Sequence, residues 1–283
     1  LRQQHFVFAF ATGLEEKKGC ATLISMNRLS FTKSQFTKDV EARLATMAPK
    51  KPSLKFSDEY ILGNNFKGSS KLKLLRIKIP ALRKFAASHL GSKAESFDQG
   101  LLPQMKKLWF ESDIFEAKQI PLYWLENQTL DTLLKHQKEI LSWATEIDNW
   151  AHSDSYCSIV AKLFEADQKK ILPVYLKWNS HGNSWLRRCS MVGTFYYSRA
   201  RKVQPEFKLA KKLVDPHFNA KEYYVQKAVG WTIREMYNVY PAETVSYIEN
   251  NLHQITPIAW VAASEKLPAK IKKNLLTKRK KQR

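Results

Sequence analysis

From Ser34 onward the apolar residues of this chain return every three or four positions, in one stretch after another, and each stretch is too short to be stable alone. Phe36, Val40, Leu44 and Met47 give the first stripe. Pro49 and Pro52 mark the connector behind it, and Ile79-Pro80 opens a new helix, proline being suited to a first helical turn. Residues 59–76, interrupted by Gly63 and Gly68, remain ambiguous. Further helices are expected at roughly 98–110, 112–126, 129–146, 152–166, 168–178, 184–200, 205–214, 220–238, 241–251 and 256–264, with short connectors between them. No segment alternates with period two for more than a few residues. A procession of short helices, each with one apolar stripe that needs a neighbour, is what an α-solenoid produces. The expected fold is therefore all-α, a HEAT-like α-solenoid of about six antiparallel helix pairs with a concave basic face.

Residues 31–265 read as that single helical domain. The segment 266–283 carries nine Lys or Arg and no acid, and is expected as a loose basic tail. Residues 1–30 look unlike the rest: the chain opens on Leu1, and Met26 precedes a polar, basic stretch. They are expected to be an upstream extension of the reading frame or a poorly ordered arm, with a strand as the structural alternative.

Charge narrows the function. A formal net charge of +21 opposes compaction unless a polyanion offsets it, and the usual polyanion is nucleic acid. An anionic membrane is the rival, but no apolar run approaches spanning length, and His5-Phe6-Val7-Phe8-Ala9-Phe10-Ala11 is too short for it. Only nine Gly, thinly spread, argue against a Gly-loop nucleotide fold. Cys20, Cys157 and Cys189 show neither disulfide parity nor metal-ligand spacing, which suits a reduced, cytoplasmic protein. No His-Glu-x-x-His, Cys-x-x-Cys or Ser-His-Asp set is present, so neither metal nor cofactor is expected.

Three helices carry residues that do not face their own cores. At about 100° per residue, Tyr156, Ile159, Val160 and Leu163 share a line from which Asp154 stands about 160° and Trp150 about 120° away. Trp150 and Asp154, four apart, share a face. A capping Asp beside a packed Trp would explain this pair as well. In 220–238, Trp231 lies about 120° off the line of Val225, Val229, Thr232 and Met236, on a side shared with Tyr224, Lys227, Arg234 and Glu235. In 184–200, Arg188 sits about 60° from the line of Trp185, Cys189, Val192 and Tyr196, while Arg187 points outward. An arginine at such a margin can pair with a carboxylate or clamp a phosphate.

The run Tyr224-Val225-Gln226-Lys227-Ala228-Val229-Gly230-Trp231-Thr232-Ile233-Arg234-Glu235 resembles the signature helix of the AlkD-type DNA alkylation repair proteins. Trp185-Leu186-Arg187-Arg188, the Trp150–Asp154 spacing, Ile77-Lys78-Ile79-Pro80-Ala81-Leu82-Arg83-Lys84, Leu108-Trp109-Phe110-Glu111 and Phe115-Glu116-Ala117-Lys118 support it, over about residues 35–275. The resemblance implies a monofunctional glycosylase that releases cationic N3- or N7-alkylated purines from duplex DNA. It implies Asp154 as the catalytic carboxylate and Trp150 and Trp231 as its aromatic pair. Arg188 then meets the DNA backbone, with Arg187, Lys227, Arg234 and Arg83 as further DNA contacts. One departure stands out: Arg76 occupies a position where the family usually has Gly.

The residue types suit that chemistry. An alkylated purine cation departs readily, so a protonating acid is dispensable and one carboxylate suffices. Asp154 would stabilise the oxocarbenium-like sugar and orient a water, between indole faces that attract a cationic base. The expected partner is duplex DNA bound by a monomer; the alternative is a repeat protein that binds damaged or branched DNA without chemistry.

Overall fold

The computed structural model describes residues 32–52, 57–63, 70–90, 100–196 and 198–281. The chain divides into two units, Leu1–Thr32 and Lys33–Arg283, and the helices of the described residues all lie in the second. The expectations for residues 1–30 lie outside the described residues.

Among the described residues, fifteen helices succeed one another: α1 (Gln35–Met47), α2 (Asp58–Leu62), α3 (Ile79–Leu90), α4 (Leu102–Glu111), α5 (Phe115–Glu126), α6 (Leu130–Lys135), α7 (Gln137–Ser142), α8 (Trp150–Ala166), α9 (Gln168–Asn179), α10 (Ser184–Phe195), α11 (Phe207–Val214), α12 (Tyr223–Val239), α13 (Pro241–Asn250), α14 (Pro257–Ala263) and α15 (Ala269–Lys281). Short 3-10 turns lie at Trp143–Glu146, Ser198–Ala200 and Asp215–His217. Among the described residues there is no strand, only an isolated bridge between Lys73 and Ile114. The all-helical solenoid expected from the periodicity is what the chain forms.

Its layering follows from burial. One layer runs α3, α5, α8, α10, α12 and α14, each packed on the one before. The intervening helices α4, α9 and α13 pack beside their sequence neighbours in it. Within α5, every residue from Glu116 to Leu125 is buried, as befits a helix enclosed on all sides. The buried Glu116 accepts N–H from Leu75 at 2.9 Å and Arg76 at 2.6 Å, pinning the extended segment ahead of α3. That segment contains Arg76 in the left-handed region, φ 59°. A Gly would adopt that conformation without steric cost. Arg76 instead pairs with Asp58 at the start of α2.

The signature helix α12 owes most of its composition to packing. A Cβ on Gly230 would lie 2.1 Å from the Ala259 carbonyl oxygen, so α12 and α14 touch there only because the side chain is hydrogen. Gln226 Nε2 donates to the carbonyls of His217, Phe218 and Ala220, and its Oε1 accepts from Thr256 Oγ1 at 2.7 Å. Buried Glu235 accepts from Ser198 Oγ at 2.6 Å.

Two expectations are corrected. The single helix expected at 129–146 breaks at His136 into α6, α7 and a 3-10 turn; no Gly or Pro marks the place, so periodicity alone could not show it. The segment from Lys266, expected as a loose tail, is helical over Ala269–Lys281. Leu275 is buried there, a contribution of about 1.5–3 kcal/mol for a side chain of that class. Arg279 is buried too, donating to the Ile255 carbonyl and lying over the Trp260 ring.

Candidate functional site

Helix α8 begins two residues earlier than its periodicity implies, which makes Trp150 its first residue. The cap is Asn149, whose Oδ1 accepts the His152 N–H at 2.9 Å. Asn149 Nδ2 meets His152 Nδ1 at 2.8 Å, and His152 Nε2 reaches the Phe115 carbonyl at 3.0 Å. The imidazole is thereby fixed as a neutral tautomer, donating from Nε2. Burial, then the Lys118 charge, hold its pKa down to about 3. Capping therefore does not fall to Asp154, which stands in the second turn with another partner.

That partner is Arg188 on α10, whose Nη2 lies 2.5 Å from Asp154 Oδ1. Arg188 Nε donates to Ser153 Oγ at 3.2 Å and Nη1 to the Tyr224 carbonyl at 3.1 Å, so one guanidinium joins α8, α10 and α12. The two ends differ in solvation: the arginine side chain is 8% exposed and the aspartate 37%. Burial opposes the charge on Arg188, but the Asp154 carboxylate outweighs it and holds the guanidinium pKa above its ordinary value. The contact uses a single carboxylate oxygen; no protein donor among the described residues reaches Asp154 Oδ2. The side chain is thus held through one oxygen and remains partly open to solvent.

Beneath it lie Cys157 and Cys189, both buried. Cys189 Sγ sits 3.4 Å from Ser153 Oγ, and burial pushes the Cys157 thiol up.

Trp150, half-buried one turn before Asp154, gives its indole N–H to the Tyr60 carbonyl at 2.9 Å. The Tyr60 ring meets it edge-on at 5.7 Å. Helix α2 is therefore part of the site. It ends at Gly63, φ 71°, where a Cβ would lie 2.9 Å from the Tyr224 ring. Tyr224 also packs on Trp185 at 5.1 Å, and burial raises its phenol pKa. The sequence alone assigns no role to Tyr60, Ser153 or Tyr224. Tyr224 shares the off-core side of its helix with Trp231; Tyr60, in an ambiguous stretch, carries no signal.

Trp231, the second aromatic candidate, is half-buried two turns past Tyr224, about 10 Å along the axis, with Tyr196 at 5.9 Å and the Arg234 guanidinium 5.3 Å from its ring. The ion pair joins Asp154 to Arg188; Trp231 is held by other partners. Arg188 is buried rather than marginal. Arg187, expected to point outward, is folded back: Nη1 donates to the His181 and Gly182 carbonyls at 2.7 and 2.9 Å, and Nη2 pairs with Glu222 at 2.5 Å. The reason is local, since the loop before α10 leaves carbonyls that a nearby guanidinium can satisfy. Arg234 pairs with Glu235 and Glu265, each at 2.9 Å, and Arg83 with Glu126 at 2.7 Å while lying over Tyr123. Lys227 is half-buried and forms no ion pair among the described residues. No three His, Cys, Asp or Glu among the described residues are grouped so as to hold a metal ion. No helix among them is long and apolar enough to cross a membrane.

A family model described as "DNA alkylation repair enzyme" matches residues 57–267. Among solved structures, a protein described as "Predicted DNA alkylation repair enzyme from Enterococcus faecalis" superposes with a TM-score of 0.58 over 70% of this chain and 90% of its own, at 14% identity. AlkD2 from Streptococcus mutans does so with a TM-score of 0.52 over 82% of this chain and 100% of its own, at 15% identity. At such identities the likeness extends to the fold. No curated protein matches the chain.

Proposed function

The chain belongs to the DNA alkylation repair enzyme family, and from that premise we propose that it hydrolyses the N-glycosidic bond of cationic N3- or N7-alkylated purines in duplex DNA. The observation that carries this reading is the asymmetric pair of Asp154 and Arg188. A buried guanidinium holds the carboxylate in place, and the single-point contact leaves Oδ2 for chemistry. A sugar losing a cationic base develops positive charge at its anomeric carbon. An anion fixed beforehand stabilises that charge without reorganising, and can hold the attacking water. Trp150, one turn away on the same face, offers an electron-rich ring to the departing base, worth about 0.5–2 kcal/mol.

The cations assigned to DNA fit this reading in a particular way. Arg83 is paired at a site 50% exposed, and the carboxylates facing Arg187 and Arg234 are 46% and 48% exposed. Each pair thus has one end open to solvent, where a phosphate can add to the contact, while the other end (Glu126 16%, Arg187 14% and Arg234 19% exposed) is held by the protein. Arg188 is the exception. Its burial and three protein partners make it first a holder of Asp154, and a backbone contact only at its rim.

The test is release of 7-methylguanine or 3-methyladenine from methylated duplex, with wild type and Asp154→Asn side by side. Wild type is expected to release base without added metal, and the variant to bind DNA but release none. Full activity in the variant would remove Asp154 from the mechanism; binding without release by wild type would favour a non-catalytic DNA-binding protein.

A further inference from the structure

Helix α15 lies beyond the residues that the family model matches, which end at 267. It contains seven Lys or Arg and no acid. At about 100° per residue, Lys270, Lys273, Lys280 and Lys281 fall within an arc of about 100°, and all four are exposed. Ile271, Leu275 and Arg279 occupy the opposite side. There Leu275 and Arg279 are buried, Arg279 lies over Trp260 and donates to the Ile255 carbonyl, and Lys278 pairs with Glu249. One face of the helix is thus fastened to α13, α14 and the loop between them, and the other presents a row of cations about 16 Å long. Loose lysines would lose conformational freedom on binding; these project from a backbone already ordered by its docked face.

We infer that the Lys270–Lys273–Lys280–Lys281 stripe of α15 is a second nucleic-acid contact, gripping duplex phosphates away from the Asp154 site. This rests on duplex DNA being the partner, as in the function proposed above. Charge complementarity chooses the occupant: four exposed ammonium groups along one face, with Asn274 and Thr277 and no acid between the two pairs, suit a polyanionic backbone. Near the stripe's end, Lys280 also borders an open cavity of about 310 Å³ lined by Pro257, Trp260, Val261 and Leu276, none of them from the helices carrying Asp154 or Arg188. That apolar cleft takes no part in the contact.

The experiment measures equilibrium binding to an unmodified 24-base-pair duplex between about 50 and 200 mM salt, where each phosphate contact adds about 0.9 to the slope of log affinity against log salt. The full chain with Lys270, Lys273, Lys280 and Lys281 all changed to Gln keeps every docked side chain of α15, and its helicity and melting temperature are checked against wild type. The stripe variant is expected to lose about two to four units of slope. A control with Lys169, Lys170, Lys208 and Lys212 changed to Gln loses the same charge from α9 and α11 and is expected to lose less than one. An unchanged slope in the stripe variant, or equal losses in both, overturns the proposal. So does selective loss of binding to vesicles of phosphatidylserine and phosphatidylcholine with duplex binding intact, which would make the stripe a membrane contact. If wild type itself shows no salt-dependent duplex binding, DNA as the partner is what has failed. Base release is read separately, because a glycosylase without the stripe would still work at low salt.

Discussion

Arg188 donates to Asp154 across two neighbouring helices at 2.5 Å, from a side chain 8% exposed to one 37% exposed. This inequality makes the two ends energetically unlike. Asp154→Ala strands a buried guanidinium and is expected to cost about 3–5 kcal/mol, the range for an uncompensated buried charge. Arg188→Met leaves a carboxylate that water can reach but also strips the Ser153 hydroxyl and the Tyr224 carbonyl of a donor, so a smaller loss of about 1–3 kcal/mol is expected. Urea unfolding of the two variants and the double mutant measures both values and their coupling. Equal costs would mean that the pair is solvated symmetrically in solution.

The pH dependence of stability should carry the mark of His152. Its folded pKa is about 3, held down by burial first, whereas the free imidazole lies near 6.5. The folded state therefore refuses a proton that the unfolded chain accepts. The stabilisation is complete above about pH 6.5 and is lost as pH falls toward 3, by at most about 1.4 kcal/mol per unit. His152→Gln removes the titration while keeping a side-chain amide to hydrogen-bond. Unfolding free energies between pH 7 and 5 should fall in wild type and stay flatter in the variant; parallel curves would count against a neutral buried imidazole.

Arg76, φ 59°, offers a direct measure of backbone strain. Both Arg76→Gly and Arg76→Ala remove the pair with Asp58, so their difference isolates the conformational term. At an ordinary position Ala is the more stable of the two. Here Gly should exceed Ala by about 1 kcal/mol, because the left-handed region is strained for any residue with a Cβ. Thermal melts of the pair decide it.

The helical period made the fold legible because an α-solenoid asks little else of its sequence: the stripe residues Val40, Leu44, Val225 and Val229 are buried, and Phe36, Met47 and Tyr196 at stripe ends pack half-buried against the same core. Asp154 and Arg188 were legible as residues off their core lines, but their pairing was not, since the angle about one helix says nothing about which neighbour faces it. Tyr60 was hidden for a different reason. Its contribution is a backbone carbonyl and a ring edge supplied from a five-residue helix, and neither depends on hydrophobic period. The signature helix gave its packing away least. Gly230 and Gln226 read as a motif, yet what they report is the approach of α14 and a set of loop carbonyls.

Gly230→Ala tests that approach. A methyl group 2.1 Å from the Ala259 carbonyl oxygen meets backbone, not a side chain able to swing aside, so α12 and α14 must separate. Overpacking a core costs about 1–3 kcal/mol, and this position should sit at the upper end. A loss under about 0.5 kcal/mol in urea unfolding would mean that the two helices are not so closely apposed.

The two tryptophans offered by the sequence should behave unequally. Trp150 stands one turn from Asp154, and its indole N–H fastens α8 to α2, whereas Trp231 packs on Tyr196 beneath Arg234. Replacing Trp150 with Phe removes that tether and weakens the electron-rich face next to the carboxylate. Base release should then fall about 10- to 30-fold, near the 2 kcal/mol limit for a desolvated cation–π contact. Trp231→Phe should lose about threefold or less. Single-turnover release from duplex containing 7-methylguanine separates these effects from binding. If Trp231→Phe proved the more damaging change, the departing base would have to be placed toward the second turn of α12 beyond Tyr224, with Trp150 left as a packing residue.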